Sequence, residues 1–350
     1  MATNTDWILY GANGFTGRLI TLEAKRKSLR PILAGRRAAP IEALGAQLDL
    51  PWRSFDIDDP SAAAAALSDV DVLLNCAGPF AATSGPMLDA CLAGRTHYLD
   101  ITGEIDVFVA AHSRHAQAQA AGVVVCPGVG FDVVPTDCVA AVLKQALPDA
   151  KSLALGFDVK GTPSPGTAKT MVEGLKAGGR VRKNGDIVEV PFAYRTRTID
   201  FGRGEALGVT IPWGDVATAY YSTGIPDIEV YVRTTPAAVF AMRCLNPLRP
   251  VLDRAAPLLR RWAASSGGPS EDQLRQETSY VWGEVRNDAG ATRTARLTTP
   301  NGYRLTADAA LLAVQTVLER RPPGGYYTPS RLMGARSIER LPGVSAIHVE

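Results

Sequence analysis

Trp7-Ile8-Leu9-Tyr10-Gly11-Ala12-Asn13-Gly14-Phe15-Thr16-Gly17 carries a short apolar run straight into a glycine-spaced turn. This order predicts a buried strand, a tight turn, and a helix beginning near Thr16 whose unpaired amides and positive dipole end meet an anion. Gly11 allows the turn, Gly14 leaves room for phosphate groups, and Gly17 lets the helix lie close on the strand. A G-x-x-G-x-x-G spacing alone fits any ordinary turn in a chain with 33 glycines. The strand before it and the helix after it make it a pyrophosphate site.

Outward from this turn, strand and helix signals alternate. After a helix over Thr16–Lys27 come a strand at Pro31–Ala34, a helix over Ile41–Leu48 and a strand at Trp52–Asp56. Asp59-Pro60 caps a helix running to Leu67, Val70–Cys76 reads as a strand, and Ser84–Ala93 as a helix stopped by Gly94. His97–Asp100 is extended, Asp106–Ala121 is one helix closed by Gly122, and Val123–Cys126 completes the series. Six short apolar strands alternating with helices predict a doubly wound parallel sheet, a Rossmann domain over residues 1–133 of an α/β chain.

Beyond it the pattern predicts an inserted α+β substrate domain, 134–302, with a mixed or antiparallel sheet. Its signals are helices at Pro135–Leu147 and Thr167–Ala177, a hairpin turn at Asn184-Gly185, and strands near Ile228–Val232, Thr278–Arg286 and Thr292–Thr298. The last part, 303–350, is expected to return to the Rossmann domain. It opens with an amphipathic helix over Tyr303–Arg320 whose Leu305, Leu311, Leu312, Val314 and Leu318 lie mostly on one face.

Composition sets bounds on partners. With 350 residues, 46% apolar and 21% charged, the chain is long enough for two globular domains, and a net charge of +2 gives no case for nucleic acid. The five cysteines form no C-x-x-C, and His97, His112, His115 and His348 have no metal-ligand spacing, so neither disulfides nor a metal are expected. No secretory leader and no apolar run of about 20 residues is present, which predicts a cytoplasmic protein. The segment Val239–Trp262 interleaves apolar residues with five arginines. It reads as a lid, a dimer contact, a peripheral membrane contact or a surface for an acidic carrier protein.

Position 34–37, Ala-Gly-Arg-Arg, lies where an NAD-selective fold commonly carries an acidic residue for the ribose hydroxyl. Arg36 and Arg37 suit a 2′-phosphate instead, and predict NADPH. Asp56 falls near the adenine or serves as a cap. Ligands bind beyond the carboxyl ends of such strands, so Asn75-Cys76-Ala77-Gly78-Pro79-Phe80, the stretch from Tyr98 to Glu104, and Pro127-Gly128 are expected to converge on the cofactor. Cofactor contacts are therefore assigned to Gly11, Asn13, Gly14, Phe15, Thr16, Gly17, Arg36, Arg37, Asp56, Cys76, Ala77, Gly78, Pro79, Phe80, Asp100 and Gly128. Asp100, Thr102 and Glu104 read equally well as caps of the following helix.

Gly11–Gly17, Asn75–Phe80, Ala90-Cys91 leading to His97–Glu104, and Gly130-Phe131-Asp132-Val133-Val134-Pro135-Thr136-Asp137 together resemble the saccharopine dehydrogenase-like oxidoreductases. Pro212-Trp213-Gly214-Asp215, Thr218-Ala219-Tyr220, Ser222–Pro226 and Tyr327-Thr328-Pro329 are similar to the branch of trans-acting enoyl reductases, partners of polyketide synthases. The resemblance implies NADPH, a substrate domain inserted before the terminal helix, and a homodimer. The expected activity is reduction of a carbon–carbon double bond in an acyl or polyketide-like enoyl substrate, free or held on an acyl carrier protein. A saccharopine-type imine reductase acting on an amino-acid adduct and a non-catalytic NADPH sensor are the alternatives. Reduction of an enoyl thioester needs donors for the oxyanion and the α-carbon, and Tyr98, Thr102, Lys169 and Tyr220 are the catalytic candidates. Each also reads as an ordinary packed or solvated side chain.

Overall fold

Trp7–Tyr10 (β1) is buried along its whole length, as are Ile32–Gly35 (β2) and Val72–Asn75 (β4). Continuous burial is what strands covered by helices on both faces require, and is why they read as apolar runs. The computed structural model describes residues 7–160, 162–168, 178–248 and 268–350. The chain divides into two units, one of residues through Phe131 with Tyr303–Met333, the other of Asp132–Gly302 with Gly334–Glu350.

In the first unit, Trp52–Ser54 (β3), His97–Asp100 (β5) and Val124–Cys126 (β6) join β1, β2 and β4 in a parallel sheet of order β6-β5-β4-β1-β2-β3. The strand Gly325–Tyr326 adds in parallel beyond β6, giving seven strands. The order reverses between β1 and β4, the point where such sheets open a crevice for a ligand. The helices are Phe15–Arg26 (α1), Ala38–Leu48 (α2), Pro60–Leu67 (α3), Phe80–Gly94 (α4), Ile105–Ser113 (α5) and His115–Ala121 (α6). Asp59 caps α3 by accepting the Ser61 and Ala62 amides, with Pro60 at the first helical position.

Two helices differ from expectation. The fourth starts at Phe80, four residues before Ser84, because a carboxylate from a neighbouring loop supplies its first amides with acceptors. The helix expected over 106–121 is broken at Arg114, whose amide bonds Ala111 in a tight turn. The helix Gly302–Arg320 is buried around most of its circumference rather than on one face, its Ala307, Ala309, Ala310 and Ala313 allowing close approach.

The second unit carries a nine-stranded mixed sheet. Its strands are Ser152–Asp158 (β7), Gly179–Lys183 (β8), Asp186–Val190 (β9), Thr196–Asp200 (β10), Glu205–Thr210 (β11), Asp227–Arg233 (β12), Thr278–Arg286 (β13), Thr292–Pro300 (β14) and a last strand, His348–Val349. The path runs β10-β11-β12-β7-β13-β14 to the last strand, with the β8–β9 hairpin attached at β12. The β12–β7 pair is parallel and its neighbours are antiparallel. Asn184 and Gly185, at φ +50° and +89°, turn the hairpin as their sequence predicts. The helix Val134–Ala146 (α7) packs on one face so closely that a Cβ on Gly283 would lie 2.7 Å from Val139 Cγ1. Ile199, Phe201, Tyr231 and Trp282 form a separate buried cluster on this sheet.

The tail was expected to pack on the Rossmann domain as far as 350. Residues 334–350 instead belong to the second unit, where Val349 and His348 pair with Ala295 and Arg296 of β14. Among the described residues no helix is long and apolar enough to cross a membrane. Lys169, the stretch 169–177 and the part of the basic segment from 249 onward lie outside the described residues. The helix Pro236–Cys244 runs into the start of that segment and leaves Phe240 exposed.

Candidate cofactor site

Gly11 ends β1 at φ +83°, and a Cβ there would sit 2.9 Å from the Ala77 amide nitrogen and the Cys76 carbonyl carbon. The glycine turn thus lies directly against the end of β4, at the switch point of the sheet. Gly17 is tighter still, since a Cβ would run into the Gly11 carbonyl oxygen. Gly14, with ordinary φ, is the N-cap of α1 and leaves its exposed α-face without a side chain. No side chain caps α1, and no acidic residue stands in its first turn. The amide end of this helix therefore lacks the carboxylates that occupy the starts of α3 and α4, as an anion site requires.

Arg36 and Arg37 follow β2, and both are exposed. Asn13 sits over the same strand end, its side-chain oxygen 3.4 Å from where a Gly35 Cβ would be. The Tyr10 hydroxyl donates to the Phe55 carbonyl at 3.2 Å. Burial, with the nearby Asp56 charge, pushes this phenol up to about 12, while Arg36 draws it down. Asp56 is exposed and accepts the Asp58 amide at 3.1 Å, so it shapes the turn after β3. Phe15 meets Tyr303 edge to face at 5.2 Å, which fixes the first residue of α1.

The loop after β4 is braced from within. Asn75, fully buried, accepts the Ala77 amide at 3.0 Å, and Thr83 donates its hydroxyl to the Ala77 carbonyl at 2.6 Å. Cys76 donates its amide to the Tyr10 carbonyl at 2.8 Å, and burial raises its thiol pKa, which keeps the sulfur protonated and inert. Glu104 accepts the Phe80 and Ala81 amides at 2.9 Å each. Cofactor contacts through the amides of Ala77 and Phe80 are therefore not what the structure shows, and Pro79 has no amide to offer. Gly78, exposed, is the position in this loop where backbone can meet a ligand. An asparagine ending a strand signals such a self-braced turn. Glu104 gave no signal, because its partners lie 24 and 23 residues away.

Asp100 is fully buried and accepts three hydrogen bonds, from the Tyr98 hydroxyl at 2.7 Å and from the Thr102 and Gly128 amides at 2.9 Å each. Burial pushes it up to about 6, against the pull of these donors. It joins the loop after β5 to the loop after β6 rather than touching a ligand, and Gly128, at φ +76°, gives its amide to the same task. Tyr98 and Thr102, expected as proton donors, are also buried in this clasp. Tyr98 spends its hydroxyl on Asp100, and Thr102 Oγ1 accepts the Glu104 amide at 3.0 Å. Neither Asp100 nor Thr102 caps α5, which has no side-chain cap bond.

Tyr220 belongs to the second unit, on the helix Asp215–Thr223 (α8). Its ring lies under the Arg182 guanidinium at 4.1 Å. It thus packs an arginine that is itself buried and bonded to the Val216 carbonyl at 2.8 Å.

NADP fits what the first unit presents: a cradle that any Cβ would obstruct, an uncapped helix start, and two exposed guanidiniums after β2. Gly11, Gly14 and the start of α1 would hold the pyrophosphate, and Arg36 and Arg37 the 2′-phosphate. Residues 7–126 match the family profile of the saccharopine dehydrogenase NADP binding domain. The trans-acting enoyl reductase of Mycobacterium leprae is 34% identical over 141 residues, which are 38% of this chain and 34% of that protein. The saccharopine dehydrogenase-like oxidoreductase of Bos taurus is 29% identical over 150 residues, 37% of this chain and 35% of that protein. The chain spans about a third of the length of these relatives. Apo saccharopine dehydrogenase (L-Glu forming) from Saccharomyces cerevisiae shares the fold over 99% of both chains, with TM-score 0.66 and 13% identity.

Proposed function

We propose that this chain, whose residues 7–126 match the profile of the saccharopine dehydrogenase NADP binding domain, is an NADPH-dependent reductase of a carbon–carbon double bond. Its substrate is an acyl or polyketide-like enoyl compound, free or held as a thioester on an acyl carrier protein. The observation that carries the cofactor is the uncapped start of α1 beside exposed Arg36 and Arg37. The choice of an enoyl substrate is supported by the similarity to trans-acting enoyl reductases. Bound NADPH supplies the hydride. The chain's own residues bind and orient it: the glycine turn admits the pyrophosphate, Asn75 and Glu104 hold the loop opposite, and Asp100 fixes the loops after β5 and β6.

The test is a substrate panel followed by NADPH oxidation, with enoyl thioesters, carrier-bound enoyl groups, and amino acid plus oxo acid pairs. Oxidation with the enoyl compounds is expected. Turnover of the amino acid and oxo acid pair alone makes the protein an imine reductase, and tight NADPH binding with no turnover makes it a sensor. The same reading includes a cytoplasmic homodimer, which light scattering of the purified chain and cell fractionation test.

A further inference from the structure

A helix start that serves as an anion site is hard to hold still. The first amides of α1 stay open to phosphate only if no side chain bonds them, and a helix end without such a bond frays. Gly14 supplies no cap bond, and no carboxylate stands in the first turn. At this end the Gly14 amide donates to the Gly11 carbonyl at 3.0 Å, and the Arg18 amide to the Gly14 carbonyl at 2.9 Å. What steadies the first residue of the helix is a ring contact. The Phe15 side chain meets Tyr303 edge to face, with centroids 5.2 Å apart and planes at 80°. Such a contact holds the residue in place and leaves its amide open, which a capping side chain does not do.

Tyr303 can serve in this way because its own helix is pinned. The helix Gly302–Arg320 belongs to the first unit from Tyr303 onward. One turn past Tyr303, the Thr306 hydroxyl oxygen accepts the Phe131 amide at 3.0 Å. Gly130 makes room for this approach, since a Cβ there would lie 3.0 Å from Thr306 Cγ2. Asp308, which is buried, pairs with Lys27 at 2.5 Å, and Lys27 also reaches Glu23 of α1 at 3.3 Å. Lys27 is the residue that ends α1. The stretch 303–308 thus meets α1 at both ends and holds the loop after β6 between them. It lies outside residues 7–126, over which the chain matches the NADP binding domain.

We propose that Tyr303 is a positioning residue for the dinucleotide, its ring acting through Phe15 to set the start of α1 where the amides bind the pyrophosphate. The proposal rests on the NADP reading above. Amides held in place before the ligand arrives spare it the ordering that binding would otherwise have to supply. The ring therefore adds to affinity without touching the ligand. Because NADPH and NADH share the pyrophosphate, this contribution is the same for both, unlike that of Arg36 and Arg37.

The test uses the full-length protein and begins without cofactor. In Tyr303→Leu, hydrogen exchange should quicken at the amides of Gly14 and Arg18, and in Tyr303→Phe, which keeps the ring, it should match wild type. Unchanged exchange in Tyr303→Leu overturns the proposal. Should that variant not fold, Tyr303→Met, which keeps the bulk without the ring, takes its place. Titration should then show Kd raised about threefold to tenfold in Tyr303→Leu, the range of an aromatic pair, equally for NADPH and NADH. A loss confined to NADPH, or one as large in Tyr303→Phe, overturns the proposal. Phe15→Leu and the double variant complete a cycle. With Tyr303 acting through Phe15, the double variant binds no more weakly than the weaker single one, whereas losses that multiply refute that route. A wild type that binds neither dinucleotide, with the exchange difference present, refutes the NADP reading and with it the cofactor clause, and leaves Tyr303 as the residue that orders the start of α1.

Discussion

The Tyr98 hydroxyl donates to Asp100 Oδ2 at 2.7 Å inside the parallel sheet, where neither side chain meets solvent. The two stand at i and i+2 of one strand and so share a face. Asp100 has a folded pKa of about 6, above the roughly 4 of an unfolded aspartate. Its contribution to stability is fully present below about pH 4 and is lost as pH rises through about 6. Tyr98→Phe removes a donor that favours the anion. It should cost about 1–2 kcal/mol at neutral pH and move the loss of stability to higher pH, while Asp100→Asn should flatten the dependence. Urea denaturation across this pH range checks both, and an unaltered profile in Asp100→Asn refutes the assignment.

Glu104 holds the first amides of α4, so Glu104→Ala leaves two helix-end donors without acceptors. A loss of about 1–3 kcal/mol is expected, with Glu104→Gln less damaging because it keeps one acceptor. Hydrogen exchange should speed up at the amides of Phe80 and Ala81 first. Exchange that quickens only around α5 would mean that Glu104 serves its own helix.

Gly14 and Gly17 should separate binding from folding. Gly17→Ala drives a methyl group into the Gly11 carbonyl, which predicts a destabilised fold and no NADPH binding. Gly14→Ala has ordinary φ, and its Cβ would sit 3.2 Å from that carbonyl oxygen. It should fold with a melting temperature close to wild type yet bind NADPH at least tenfold more weakly. Calorimetry and binding titration read the two effects separately.

Arg36→Ala and Arg37→Ala should each weaken NADPH by about tenfold to a hundredfold, the range of a lost hydrogen bond to a charged group, and leave NADH unchanged. Equal losses for the two dinucleotides would overturn the 2′-phosphate assignment.

The first sheet was legible because its strands are short runs buried on both faces, and because glycine turns and caps such as Asp59-Pro60 act within a few residues. What was illegible acts at longer range. Glu104 follows β5 and reads as a cap for α5, and only the pairing of β5 with β4 puts it at the start of α4. Tyr98 reads as a donor for substrate, although its alternation with Asp100 along β5 carries the signal for the inward bond. In the second unit β7, β10 and β11 carry no comparable local signal. Strands with one wet face, such as Thr196–Asp200, dilute the apolar signal, and their pairing depends on chain far away. Asp215 reads only as the last residue of the Pro212–Asp215 stretch, since burial of a lone carboxyl is set by tertiary packing.

The strand Gly325–Tyr326 pairs in register with Val124 and Val125, about two hundred residues earlier, with the Gly325 amide donating to the Val123 carbonyl at 2.9 Å. During synthesis the nascent first sheet therefore keeps its β6 edge bare until the ribosome has made everything in between. The intervening unit can fold inside this open loop, and the last parallel pairing comes late because so distant a closure is slow. A ribosome stalled before residue 325 would hold out an unpaired strand edge, the kind of surface that holdase chaperones cover and that neighbouring copies on a polysome invade.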